Sequence, residues 1–255
     1  MMERDKKIKL LNMAVNFYHE LFYKHKKKDL QSQWEVLAKW NIEQLEIKKF
    51  KIGYCPETSD FSRHYTDIFK NYPIIKDTLV ELGFLEKDEQ NLRDSLINCF
   101  LFPCFDERGN LLNVAIYHPQ KGWQLLYAED PLGVFGLWQV SYELTDYGLV
   151  FLLPDIKSFF SFKKLLYPTG VNPCLACLKG INTLLFEKLE TLGVGQVLII
   201  GLNVPEGIQT YMEVITFPDK GDSLLNLKAT FPYLADQRFR RLIEVGLEIM
   251  KVKKE

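Results

Sequence analysis

Between residues 7 and 28 the apolar side chains Ile8, Leu11, Ala14, Val15, Tyr18, Leu21 and Phe22 recur every three or four positions. That period places them on one face of a helix. The cluster Lys24, His25, Lys26, Lys27 and Lys28 closes the pattern. Cations there face the negative end of the helix macrodipole, so the cluster reads as a solvated cap, with a phosphate contact as the sharper alternative. The same period predicts helices over 29–39 and 42–49, before Phe50-Lys51-Ile52-Gly53-Tyr54 and Pro56 break it. A further helix over 74–82 stops at Gly83. Beyond Arg93 the pattern changes to apolar runs over 97–105 and 111–117, which flank Asp106-Glu107-Arg108-Gly109-Asn110. Two such runs around a polar Gly-Asn segment predict a β-hairpin, since both residues tolerate positive φ.

From Gly148 onward strand and helix patterns alternate. Residues 149–153, 173–178 and 196–200 read as strands, and 158–166 and 183–192 as helices. Residues 209–217 supply one more strand or a short helix. Alternation of this kind predicts a parallel sheet with helical crossovers. The last amphipathic pattern, 234–251, carries Phe239, Leu242, Val245 and Ile249 on one face. The fold class is therefore α/β: a mixed α+β subdomain over 1–145, a parallel sheet with flanking helices over 146–235, and a C-terminal helix over 236–255.

Composition narrows the functional classes. A chain of 255 residues with 47% hydrophobic content can bury a sizeable core. Its 32 basic and 33 acidic residues nearly cancel, so any nucleic-acid contact must come from a local patch. No apolar run approaches the roughly 20 residues that span a bilayer, and the N-terminus does not read as a signal peptide, so the expected compartment is the cytoplasm. Five cysteines form an odd set that suits reduced thiols better than a disulfide framework.

Four ordered landmarks carry a resemblance to a known family. They are Ala14-Val15-Asn16-Phe17-Tyr18-His19 in the first helix, Phe50-Lys51-Ile52-Gly53-Tyr54-Cys55-Pro56, Leu79-Val80-Glu81-Leu82-Gly83-Phe84-Leu85, and the hairpin Leu101-Phe102-Pro103-Cys104-Phe105-Asp106-Glu107-Arg108-Gly109. Together they resemble the opening half of a DnaG-type bacterial primase core, and Phe135-Gly136-Leu137 is similar to that family's Tyr-Gly-Leu. The resemblance implies a primase-core subdomain followed by a TOPRIM-like Rossmannoid sheet. It covers the core alone, without the zinc ribbon that selects start sites or the domain that docks on the replicative helicase.

The family's working residues are mostly replaced at the matching positions. Its primases hold single-stranded template by the phosphates in a basic groove. Where the resemblance places groove cations, this chain has Trp40 for the arginine of Arg-Gly-Ile, Tyr117 for the arginine of Phe-Gly-Gly-Arg, and Trp123 at the start of the Lys-Tyr-Leu-Asn segment. The arginine-rich stretch before the hairpin becomes Asp94-Ser95-Leu96-Ile97-Asn98-Cys99. In the TOPRIM-like half, Leu153 stands where the resemblance places the strand-end glutamate. Leu202 and Val204 stand where it places Asp-x-Asp, and Asp222 keeps one acidic position. Hard divalent cations need several oxygen ligands, so one retained carboxylate does not make a two-metal site. A register slip would leave Asp155, Glu206 and Asp222 as a sparse carboxylate set.

Other constellations carry less. Cys174-Leu175-Ala176-Cys177, with Cys99 and Cys104, could present four thiolates to zinc, but these cysteines read as small buried hydrophobes. The histidines lack metal spacing, and no glycine-rich phosphate loop or nucleophile elbow is present. The candidates for residual nucleic-acid contact are Lys48, Lys49, Lys51, Tyr54, Arg63 and Arg108, with His64, because single strands are held by cations and stacking rings. Trp40, Tyr117 and Trp123 are the candidates for a protein interface. The expectation is a catalytically inactive primase-like protein, a replication or mobile-element accessory that binds a protein partner and, more weakly, single-stranded DNA. No cofactor, membrane or small-molecule ligand is expected. The alternative is a divergent primase or TOPRIM nuclease, which would need Mg2+.

Overall fold

The computed structural model describes residues 2–24, 30–58, 60–88, 91–126, 130–166 and 172–217. The chain divides into two compact units, Met1–Pro131 and Leu132–Glu255. Most of the Lys24–Lys28 cluster, the expected C-terminal helix and Asp222 lie outside the described residues.

The first unit opens with helices α1 (Met2–Lys24), α2 (Gln31–Lys39) and α3 (Gln44–Lys49), which lead into strand β1 (Gly53–Cys55). Short helices α4 (Asp60–His64) and α5 (Thr66–Asn71) and the longer α6 (Pro73–Glu81) follow. Next come a small hairpin, β2 (Leu85–Asp88) and β3 (Asn91–Asp94), and then β4 (Cys99–Phe105), β5 (Leu111–His118) and β6 (Gly122–Leu125). Four of these strands form an antiparallel sheet in the order β1-β4-β5-β6. Because side chains alternate along a strand, the sheet has two distinct faces. On one, Cys55, Cys99, Leu101, Val114 and Ile116 join Leu11, Ala14, Val15 and Tyr18 of α1 in a single core cluster. The amphipathic face expected of α1 is thus the face that is buried.

Three polar or sterically special positions fasten α1. A Cβ on Gly53 would stand 3.1 Å from the backbone of Tyr18 and His19, so glycine lets β1 pass directly against the helix. His19 Nδ1 lies 2.9 Å from the carbonyl of Ile52 at the same crossing. Deeper in, Asp94 is 3% exposed. Its Oδ2 accepts from Tyr18 Oη (2.9 Å) and the Phe61 amide (3.0 Å), and its Oδ1 from the Ser62 amide (2.8 Å). A buried carboxylate is tolerable only with such donors. Burial pushes the Tyr18 hydroxyl far above its ordinary value, with Cys55 and Asp94 adding to the effect.

The hairpin between β4 and β5 forms as expected, with Gly109 at φ 84. Its turn is organised by Asp106, whose carboxylate accepts from the Arg108 amide (2.9 Å) and from the amide and side chain of Asn110 (2.8 and 2.9 Å).

The second unit holds β7 (Val134–Phe135), α7 (Leu137–Tyr147), β8 (Leu149–Leu153), α8 (Ile156–Leu166), β9 (Cys174–Cys177), α9 (Thr183–Thr191), β10 (Gln196–Ile200) and β11 (Glu213–Phe217). The open alternative over 209–217 is thus a strand. The sheet runs β11-β10-β8-β9-β7, parallel except where β7 pairs antiparallel with β9. Val150, Leu152, Val197 and Ile199 cluster with Leu137, Val140 and Leu144 of α7 and with Leu185, Phe186 and Leu189 of α9. Phe135 and Phe151 meet Phe159, Phe160 and Phe162 of α8 on the other side. The strands therefore read as continuous apolar runs because helices cover both faces of the sheet. Among the described residues, no helix is long and apolar enough to cross a membrane.

Candidate functional site

On the sheet face of the first unit opposite the α1 core, register assembles a row of rings. Tyr54 pairs with Phe100, Phe100 with Tyr117, and Tyr117 with Trp123. Residues directly opposite in antiparallel strands share a face. Tyr54 and Phe100 have centroids 5.1 Å apart, and Tyr117 and Trp123 have centroids 5.0 Å apart. Trp40, at the C-cap of α2, meets Tyr117 edge-on at 4.5 Å and Trp123 at 5.7 Å, and Phe102 lies 5.2 Å from Trp123. The three positions where the resemblance puts cations therefore come together as one aromatic cluster. Trp40 is buried, at 9% exposed, while Tyr117 and Trp123 are half-buried. Each such pair adds about 0.5–1.5 kcal/mol beyond area burial, so the cluster ties the end of α2 to the sheet.

The basic candidates are placed differently. Lys48 and Lys49 are exposed in the last turn of α3, with Lys49 Nζ 5.8 Å from the Phe50 ring. Lys51, held at φ 51, lies 5.7 Å over the ring of Phe105. That contact sets it near the β4–β5 turn, where exposed Arg108 approaches Glu107 at 3.6 Å. Arg63 and His64 are exposed on α4. Tyr54 needs a correction: it is 5% exposed, packed on Phe22 and Phe100, with its hydroxyl engaged by Gln33 and Asn98. Its ring offers no free face for a base.

Crossover parallel sheets bind ligands beyond the carboxyl ends of their strands. At that edge of the second unit, Leu153 closes β8 at 2% exposure. Leu202 and Val204, just past β10, pack against the α7/α9 core cluster. Asp155 begins α8 as a cap: Oδ1 accepts the Ser158 amide at 2.8 Å and Oδ2 the Ser158 hydroxyl at 3.1 Å. Glu206 is exposed on the following loop. No group of three His, Cys, Asp or Glu able to hold a metal occurs among the described residues. Apolar side chains packed into a core do not fit a divalent cation, which takes oxygen ligands.

The cysteines are all buried free thiols. Cys174 and Cys177 sit three residues apart on one strand and so point to opposite faces. Burial pushes Cys174 well above its ordinary value, with Glu143 adding to the shift, and raises Cys177 to about 12. Side chains on opposite faces of one strand do not converge on a single zinc. Two further residues escaped the sequence pattern: Asp94, the buried acceptor that ties α1 to α4, and Asn98, which takes φ 51 just before β4 and accepts from the Tyr54 hydroxyl. Neither lies in a motif.

Residues 17–115 match the family described as DNA primase catalytic core, N-terminal domain. No curated protein matches the sequence. Among solved structures, a DnaG primase catalytic domain bound to single-stranded DNA aligns with TM-score 0.63 and 16% identity, over 92% of this chain and 69% of that one. The zinc-binding and RNA polymerase domains of Aquifex aeolicus primase align at 0.65 and 17%, over 96% of this chain. The chain spans only 62% of that protein's length. The RNA polymerase domain of Mycobacterium tuberculosis DnaG aligns at 0.66 and 12%, over 97% and 84%. Four ordered motifs, one family match over most of the first unit and one fold over nearly the whole length converge: residues 17–115 match the DnaG primase-core N-terminal domain, and the chain has the fold of a DnaG primase catalytic core.

Proposed function

We propose that this chain is a non-catalytic primase-core protein, a replication-type or mobile-element accessory that works by binding a protein partner and only weakly binds single-stranded DNA. In this reading the second unit is a degenerate TOPRIM-like domain. The observation that carries the reading is the apolar carboxyl edge of its sheet: Leu153, Leu202 and Val204 are packed inward and Asp155 caps a helix. The aromatic cluster at Trp40, Tyr117 and Trp123 supports it from the other unit, since rings there leave template phosphates without counter-charge.

The test is template-dependent primer synthesis across a magnesium and manganese titration. No specific product is expected. Specific product that disappears in Asp222→Ala would overturn the reading in favour of a divergent primase. Low-salt gel shifts with single-stranded oligonucleotides separate the two kinds of partner, and weak, strongly salt-sensitive binding is expected.

A further inference from the structure

Beside the aromatic cluster the described residues of the first unit leave part of its sheet open. A groove of about 780 Å³ lies between α2, the end of β1, residues 97–98 and the β5–β6 turn. Pockets of this size hold ligands of a few hundred cubic ångströms or more. Its apolar lining includes Val36 and Ile97, the latter 45% exposed, above the buried ring of Phe100.

One wall is a directional chain of hydrogen bonds. Ser32 Oγ donates to Gln33 Oε1 (2.9 Å), and Gln33 Nε2 to Tyr54 Oη (3.1 Å). Tyr54 Oη then donates to Asn98 Oδ1 (2.9 Å), and Asn98 Nδ2 to Glu57 Oε1 (2.5 Å). Every link donates in the same sense, so the dipoles add toward the Glu57 carboxylate and each bond polarises the next. Across the groove, His118 Nδ1 accepts the amides of Gln120 (3.1 Å) and Lys121 (3.3 Å). That leaves the ring proton on Nε2 as a donor. No lysine or arginine occurs among the described residues that line the groove, while Glu57 gives it negative charge.

We propose that this groove docks a short extended segment of a partner protein carrying lysine or arginine between aliphatic residues. The cation pairs with Glu57, the aliphatic side chains cover Ile97 and Val36, and His118 Nε2–H donates to a peptide carbonyl. Charge complementarity selects this occupant. A phosphate backbone would meet a carboxylate with no described cation beside it. The inference rests on the reading that the chain works through a protein partner.

The test uses the full chain, labelled for NMR, and three probes: acetyl-Leu-Arg-Leu-amide, acetyl-Leu-Glu-Leu-amide and oligothymidylate. The arginine peptide is expected to shift the side-chain amides of Gln33 and Asn98 and the ring of His118, and to bind more tightly than the glutamate peptide. Glu57→Gln, an exposed position, should weaken the arginine peptide about three- to fivefold, the range of a partly exposed ion pair. Equal binding of the two peptides, or no shift at these residues, overturns the proposal. So does oligothymidylate shifting the same residues and binding more tightly to Glu57→Gln, which would assign the groove to nucleic acid. Primer synthesis is scored separately: an active chain that binds the arginine peptide here keeps the groove and refutes the inactive reading. An inactive chain with a silent groove does the reverse.

Discussion

Replacing Asp94 by alanine tests the core of the first unit most directly. The substitution removes the acceptor for Tyr18 Oη, the Phe61 amide and the Ser62 amide at once. A buried donor left without a partner costs about 1–3 kcal/mol. Three such donors exceed the desolvation recovered by losing the carboxylate, itself several kcal/mol. Movement of the short helix α4 toward water limits the loss, so a net destabilisation of about 3–5 kcal/mol is expected. Tyr18→Phe removes one donor and should cost about 1–1.5 kcal/mol. Because the two residues share a hydrogen bond, the double variant should cost less than the sum by at least about 0.5 kcal/mol. Urea unfolding followed by tryptophan fluorescence reads the effect, since three of the four tryptophans, Trp34, Trp40 and Trp123, lie in the first unit, and Trp138→Phe removes the signal of the second. A loss below about 1 kcal/mol for Asp94→Ala, or strict additivity with Tyr18→Phe, would refute the account of Asp94 as the tie between α1 and α4.

Other outcomes follow from the same geometry. Gly53→Ala places a methyl 3.1 Å from the α1 backbone and should cost about 1–3 kcal/mol as overpacking; an unchanged urea midpoint would show that the crossing is loose. Asp155→Ala removes the cap of α8 and should cost about 1 kcal/mol, whereas Asp155→Ser should restore most of it, both read by thermal unfolding. For the buried thiols the sign is set by burial. Cys177 rises from 9.0 to about 12 on folding, so the folded chain keeps a proton that the unfolded chain releases. That stability is complete below about pH 9 and is lost as pH rises through 12. Melting temperature should therefore fall steadily in that window, and native thiols should react with a disulfide reagent only as fast as the chain unfolds. A flat alkaline profile, or rapid labelling of the native chain, contradicts this.

The sequence made some elements legible and hid others for identifiable reasons. Strands β8 and β10 were readable to the residue because a buried parallel strand is a continuous apolar run. The face of α1 was readable because one helix carries its period over many turns. Helices α4 and α5, of 5 and 6 residues, are too short to display a period. The β2–β3 hairpin, Leu-Glu-Lys-Asp against Asn-Leu-Arg-Asp, has too little apolar character to announce strands. Helix α7 sits between two left-handed glycines, Gly136 and Gly148, which read as loop punctuation. A Cβ on Gly136 would come 2.8 Å from the Phe159 ring, so its glycine reflects packing against α8 as well as the turn.

The amino-acid sequence by itself determined the kind of chain this is: the ordered motifs of the first unit, the apolar identities of Trp40, Tyr117, Trp123, Leu153, Leu202 and Val204, and the parallel character of the second sheet. Each of these is a local identity or a local period. Tertiary structure decided what those identities do. Strand register brought Tyr117 opposite Trp123 and set Trp40 against both, so the three rings form one mutually packed cluster. Burial removed Tyr54 as a stacking ring, capping occupied Asp155, and a chain of hydrogen bonds from distant segments carried polarity to Glu57. Lateral register, burial and hydrogen-bond direction are relations between residues far apart in the chain, and no local pattern encodes them.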